Sequence, residues 1–176
     1  GLKHINYTYQ RGEGVLAEAL DLAEHFSQGE KTVVILGDNL IEKSIKKYVE
    51  DFMKQDGGAK ILLKKVPDPE RFGVAEIKGN KIVKIEEKPK KPKSDLAVTG
   101  IYMYDPKVFE IIKTLKPSRR GELEITDVNN RYIEWGEMTF DVLDGWWTDC
   151  GTFDSLLRAN KLVAQKALRE GKACES

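Results

Sequence analysis

Val33-Val34-Ile35-Leu36-Gly37-Asp38-Asn39 and Trp147-Thr148-Asp149-Cys150-Gly151-Thr152 share one pattern: an apolar run that stops on an aspartate, a small or polar residue, then an amphipathic stretch. In an open α/β sheet this is the carboxyl end of a strand, where ligands bind in the crevice between diverging connections. Two carboxylates so placed, far apart in the chain, can converge on one divalent cation. Mg²⁺ accepts one or two protein carboxylates and completes its shell with water and substrate phosphate oxygens, so phosphate chemistry is the first class of function these residues point to. An aspartate after a strand also serves as a helix N-cap or turn former, and at this level that role stays open for both Asp38 and Asp149.

Outward from these two stretches the chain alternates between helix and strand periods. Leu16, Ala19, Leu20, Ala23 and Phe26 recur at helical spacing, and Gly29 stops that helix before a buried strand over Val33 to Leu36. Ile45, Tyr48, Val49, Phe52 and Met53 repeat the helical pattern up to Gly57-Gly58; Ala59 to Val66 is a second buried strand, ended by Pro67-Asp68-Pro69. Phe72 to Lys78 and Lys81 to Glu87 alternate apolar and polar residues around Gly79-Asn80, the signature of a two-residue hairpin. Leu96 to Tyr104 is a long apolar strand, and Asp105-Pro106 opens a helix. A helix carrying Ile125, Val128, Tyr132 and Ile133, strands at Met138 to Leu143 and Trp146-Trp147, and a terminal helix from Thr152 to about Glu170 complete the order; Gly1 to Gln10 reads as a further strand. Fully apolar strands alternating with helices predict an α/β fold with a mostly parallel sheet.

Whole-chain properties mainly exclude. At 176 residues the chain fits one domain with a real core. Its 29 basic and 29 acidic residues cancel, which argues against nucleic acid or an anionic membrane as the main partner. No apolar run approaches the roughly 20 residues of a membrane span, and no signal-peptide pattern opens the sequence, so a cytoplasmic protein is expected. Cys150 and Cys174 supply neither a disulfide framework nor zinc spacing.

Two further segments hold charges that periodicity does not explain. Glu86-Glu87-Lys88-Pro89 places three ionisable residues at a strand end before a proline that terminates pairing; a carboxylate beside an ammonium suits a site that binds hydroxyls and a phosphate together. Ser118-Arg119-Arg120-Gly121-Glu122-Leu123-Glu124 sets arginine forks, matched to phosphate oxygens, at a loop-to-helix junction. The alternative there is a solvated loop whose Glu122 and Glu124 complement the helix macrodipole. The basic run from Lys90 to Lys93 lacks interleaved aromatics and reads as a solvated connector. Gly12-Glu13-Gly14 reads as a turn.

Six stretches, in order and with similar gaps, resemble the glucose-1-phosphate thymidylyltransferases of the sugar-phosphate nucleotidyltransferase family: Leu36-Gly37-Asp38-Asn39, Pro69-Glu70-Arg71-Phe72-Gly73-Val74, Glu86-Glu87-Lys88-Pro89, Ala97-Val98-Thr99-Gly100-Ile101-Tyr102, Gly121-Glu122-Leu123-Glu124-Ile125-Thr126-Asp127 and Trp147-Thr148-Asp149-Cys150-Gly151-Thr152. The resemblance spans essentially the whole chain. It implies a three-layer, Rossmann-like nucleotidyltransferase fold with a mixed, mostly parallel sheet. It also implies Asp38 and Asp149 as Mg²⁺ ligands and Lys88 and Arg120 as sugar-phosphate ligands. Gly73, Glu87, Val98 and Tyr102 would line a hexose pocket, and Gln10 would read the base edge. The reaction implied joins a nucleoside triphosphate to a hexose 1-phosphate, giving a nucleotide sugar and pyrophosphate.

Departures accompany the matches. The family's loop of the kind Gly-Gly-x-Gly-Thr-Arg-Leu, which holds the triphosphate, has no counterpart here, so residues 1–176 are expected to form one domain corresponding to the larger, C-terminal part of the family domain, without its first βαβ unit. Val15 stands where the family has glycine in a turn near the base, and a β-branched residue disfavours positive φ. Impaired catalysis is expected, or alternatively a non-catalytic, homo-oligomeric scaffold whose copies cover an exposed sheet edge.

Overall fold

The computed structural model describes residues 4–10, 16–118, 123–169 and 171. Its strands are β1 (Thr32–Ile35), β2 (Asn39–Ile41), β3 (Ala59–Lys65), β4 (Gly73–Lys78), β5 (Lys81–Glu87), β6 (Leu96–Tyr104), β7 (Met138–Val142) and β8 (Trp147–Asp149). Its α-helices are α1 (Leu16–Asp21), α2 (Glu24–Ser27), α3 (Lys46–Met53), α4 (Lys107–Thr114), α5 (Ile125–Trp135) and α6 (Phe153–Arg169). Six strands form a mixed sheet in the order β5-β4-β6-β3-β7 with β1 also on β6, while β2 and β8 make a separate two-stranded ribbon.

β6 is the centre. Its alternate residues point to opposite faces: Val98, Tyr102 and Tyr104 join one core with α1, α4 and α5, and Ala97, Ile101 and Met103 join a second with Tyr48 and Phe52 of α3. Helices thus cover both faces of the sheet, which is the three-layer arrangement expected. β3 lies along one edge of β6 from Leu96 to Tyr104. β1 and β4 share the other edge, β1 against Ile101 to Tyr104 and β4 against Ala97. They take different ends of that edge and leave Val98 to Gly100 uncovered by a neighbouring strand. Opposite this gap β3 carries a register shift between Ile61 and Leu63, and the buried Thr99 hydroxyl donates to the Leu62 carbonyl at 2.9 Å, replacing a ladder bond.

The expected strand direction was wrong. Among the described residues only β3 and β7 pair in parallel; β1, β3 and β4 all run antiparallel to β6, and β4 and β5 form the hairpin around Gly79-Asn80. A continuously apolar strand reports burial on both faces, and an antiparallel strand covered by helices on both sides satisfies that equally well. Val33 to Leu36 also departs from expectation: β1 is half-exposed, with Val33 at 37% and Ile35 at 53%. Residues 4–10 are in no strand, and the helix expected over Leu16 to Phe26 is two short helices broken at Leu22-Ala23.

A polar knot closes the sheet at the end away from the gap. Asp105, 4% exposed, accepts hydrogen bonds from the Tyr132 hydroxyl at 2.7 Å, the Gly58 amide at 2.7 Å and the Lys107 amide at 3.1 Å. Burial and the adjacent Asp105 carboxylate push the Tyr132 phenol well above its ordinary pKa, so it stays a donor throughout the physiological range. Gly58 has φ +85°, and a β-carbon there would lie 2.3 Å from the Glu137 carbonyl oxygen. Asp105→Ala strips a buried hydroxyl and two amides of their acceptor. It should lower stability by about 3–5 kcal/mol, with Asp105→Asn costing roughly half as much, as read from urea unfolding midpoints.

Candidate functional site

The gap on β6 opens into a cleft of about 600 Å³, within the range of small-molecule sites. One wall is built by the β2–β8 ribbon. Asp38 sits in the turn between β1 and β2, Asn39 pairs with Asp149 across the ribbon, and the Cys150 amide donates to the Asp38 carbonyl at 2.8 Å. This pairing brings the two distant aspartates together: the Oδ2 atoms of Asp38 and Asp149 lie 3.3 and 3.8 Å from the point a β-carbon on Gly151 would occupy. Glycine at residue 151 therefore leaves room beside both carboxylates. Among the described residues no third histidine, cysteine or acid joins them as a ligand group. Two carboxylates facing an open cleft fit Mg²⁺, which takes its remaining oxygens from water and phosphate. Burial and the charges of Asp149 and Asp38 raise the pKa of the Cys150 thiol, which disfavours a nucleophilic thiolate there.

Asn39 holds this wall. Its Oδ1 accepts from the Gly100 amide at 2.9 Å and the Trp147 indole at 2.6 Å, while its Nδ2 donates to Asp38 Oδ1 at 2.8 Å. One amide thus ties the centre of β6, the ribbon and the Asp38 carboxylate. Gly100 must be small for this, because a β-carbon would come within 2.4 Å of the Asn39 side chain. Arg71, in the 3-10 turn Pro69–Arg71, reaches Asp149 Oδ2 at 3.4 Å and Asp68 Oδ2 at 2.8 Å. Phe72 beside it meets Trp147 edge to face at 5.2 Å.

The opposite wall comes from the β4–β5 hairpin and α5. Gly73 and Glu87 pair across the hairpin. The Glu87 carboxylate accepts from the Thr126 hydroxyl at 2.8 Å and lies 3.2 Å from where a Gly73 β-carbon would be, so a side chain at residue 73 would crowd it. Asn130 on α5 pairs with both the amide and the carbonyl of Ile85 at 2.9 Å, gripping β5 as a strand neighbour would. Lys88 has φ +43°, unusual for a side chain with a β-carbon, and its amide donates to the Phe72 carbonyl at 3.0 Å. It lines the cleft and makes no ion pair with another described residue. Val98 and Tyr102 of β6 form the floor, and burial with the Glu87 and Asp38 charges raises the Tyr102 phenol.

Of the nine residues singled out in the sequence, Asp38, Gly73, Glu87, Lys88, Val98, Tyr102 and Asp149 line this one cleft. Gln10 does not; it is partly buried and its amide nitrogen has no hydrogen-bond partner among the described residues. Arg120 lies outside the described residues, as do Val15, Gly12-Glu13-Gly14 and Cys174. Reading the sequence missed Asn39, Arg71, Thr126 and Asn130, although the first three stand inside stretches it quoted. Asn39→Ala leaves a buried amide and an indole N–H without acceptors and should cost about 2–4 kcal/mol. Asn39→Asp restores the acceptor but sets a carboxylate oxygen against Asp38 Oδ1 in place of the N–H that donates to it at 2.8 Å, so at neutral pH it should recover less than half of that; urea unfolding followed by near-UV circular dichroism measures both.

Comparison with known proteins shows the family. Residues 2–166 match the nucleotidyl transferase family model. A glucose-1-phosphate thymidylyltransferase of Neisseria meningitidis is 42% identical over 163 residues, 90% of this chain and 57% of that protein. The low-salt glycan biosynthesis nucleotidyltransferase Agl11 of Haloferax volcanii is 39% identical over 170 residues, 94% of this chain and 47% of that protein. The chain thus spans about half the length of the curated relatives it matches. A Bacillus anthracis protein assigned as a glucose-1-phosphate thymidylyltransferase and crystallised with sucrose superposes with a TM-score of 0.85 at 58% identity, covering 89% of this chain and 64% of that one. Six motifs in register, the cleft they build and the family match over nearly the whole sequence lead to one conclusion: this chain belongs to the nucleotidyl transferase family.

Proposed function

We propose that the cleft is the sugar-phosphate half of a sugar-phosphate nucleotidyltransferase site, for glucose 1-phosphate and a nucleoside triphosphate such as a thymidine nucleotide. The observation that carries this reading is the meeting, in one cleft, of the Gly73/Glu87/Lys88 wall with the Asp38/Asp149 pair. Glu87, held by Thr126, accepts hydrogen bonds from hexose hydroxyls, beside the glycine backbone of residue 73. Val98 and Tyr102 pack beneath the ring. Lys88, and Arg120 by resemblance, hold the phosphate. Gln10 would read the base edge, a role that rests on resemblance alone.

An oxygen of the sugar phosphate bonds to the α-phosphorus of the triphosphate as the bond from that phosphorus to the bridging oxygen breaks, and pyrophosphate leaves with the electron pair. The attacking oxygen is already anionic, so no general base is needed, and the protein's work is to align two polyanions and offset their charge. Asp38 and Asp149 would hold Mg²⁺, which supplies charge neutralisation at the phosphates. Lys88 stands on the sugar side, where its left-handed backbone fixes the direction of the stem.

Titration of the protein with glucose 1-phosphate in an isothermal calorimeter tests the half-site. Lys88→Ala should weaken binding by about tenfold, the value of one charge-assisted hydrogen bond to phosphate. Heat that is the same for wild type and Lys88→Ala would sink the assignment.

Association of copies is a separate part of the proposal. β1 leaves Val33 and Ile35 exposed, and α6 separately leaves Phe153 at 93% and Leu157 at 55% exposure; apolar side chains of this kind are covered by self-association. Light scattering should show a dimer or larger species at micromolar concentration, and Phe153→Asp with Leu157→Lys should shift it toward monomer.

A further inference from the structure

The proposed cation pair already has a positive neighbour. Arg71 Nη2 meets Asp149 at Oδ2, the oxygen that, with Asp38 Oδ2, lies within 4 Å of the point a β-carbon on Gly151 would occupy. Two carboxylates brought together without a metal repel one another, and the guanidinium offsets that repulsion from one side. Its hold is divided unequally: the contact to Asp68 is 2.8 Å and the contact to Asp149 is 3.4 Å. The Phe72 ring lies 5.1 Å from the guanidinium carbon, and Trp147 braces that ring, so the arginine is held over the cleft. Asp68, Arg71 and Asp149 are each partly shielded from water, where such pairs are screened less than on an open surface.

We propose that Arg71 is a built-in competitor for the cation site: in the substrate-free protein its guanidinium offsets the charge of the Asp149 carboxylate that would hold a divalent cation, and Asp68 limits that competition by holding the arginine back. The inference rests on the reading of Asp38 and Asp149 as the metal pair. Asp68 and Arg71 are then positioning residues with opposite effects. Removing the guanidinium leaves the Asp149 carboxylate free to hold a metal. Removing the Asp68 carboxylate releases Arg71 toward Asp149 and weakens metal binding. The pair would keep affinity for free cation low until phosphate oxygens arrive to complete the shell, so that metal enters together with substrate.

Mn²⁺ binding to the whole chain without substrate, read from the electron paramagnetic resonance signal of free Mn²⁺, tests this directly. Arg71→Met should tighten binding about tenfold, Arg71→Lys should tighten it less because the ammonium cannot bridge both carboxylates, and Asp68→Asn should weaken it about threefold. A loss of fold would weaken all three, so the opposite signs separate the proposal from simple damage. Unchanged or weaker binding in both arginine variants overturns it, as does tighter or unchanged binding in Asp68→Asn. Asp149→Asn distinguishes the underlying reading: if it leaves Mn²⁺ binding unchanged, the metal pair itself fails and the competitor with it. If Asp149→Asn abolishes binding while Arg71→Met changes nothing, the metal pair stands and only the competitor falls.

Discussion

The shared edge of β6 is the constraint on which the rest of the molecule depends. β3 occupies one side of this strand along its length, so β1 and β4 must divide the other, and neither reaches its middle. Backbone groups exposed by such a division have to be satisfied. The Gly100 amide is taken by the Asn39 side chain and the Gly100 carbonyl by the Leu36 amide. The crevice is therefore a consequence of sheet topology: where two strands leave one edge in different directions, a cavity bordered by backbone and strand-end side chains remains.

Side-chain amides do the joining that strands cannot. Asn39 links β6 to the ribbon and Asn130 links α5 to β5, each presenting the donor and acceptor pair of a peptide group. Such bonds contribute little net stability when made and cost much when one partner is lost, which makes them strict about geometry. They place Asp38 on one wall and Glu87, through Thr126, on the other. The acidic groups of the cleft are consequently held at fixed positions before any ligand is present, the condition under which electrostatic stabilisation acts without reorganisation.

Charge in the cleft is segregated. Carboxylates at Asp38 and Asp149 and the guanidinium of Arg71 lie on the ribbon side, and Glu87 and Lys88 lie on the hairpin side. A side with two carboxylates and a guanidinium thus faces a side with a carboxylate next to an ammonium. This separation follows from the two walls being independent pieces of structure, one a two-stranded ribbon outside the main sheet and the other a hairpin within it.

Much of this was legible in one dimension. Apolar runs ending on Asp38 and Asp149, the Gly79-Asn80 hairpin, the helical periods of α3 to α5 and the charged strand end at Glu87-Lys88 are local patterns, set by side-chain alternation and turn chemistry within a few residues. Seven of the nine residues those patterns and the family resemblance singled out line the cleft. Strand direction was not legible, because apolarity along β3 and β6 records burial on both faces and says nothing of which way a neighbour runs. The same holds for the half-exposed edge at β1, since exposure depends on what pairs beside a strand. Arg71 stood in a quoted stretch, yet its contact with Asp149 exists only because the turn before β4 and the end of β8 are brought to the same side of β6. Sequence alone determined which residues end strands and carry charge; the tertiary structure decided which of them meet, because a contact between distant segments is set by sheet order and register, to which no local pattern answers.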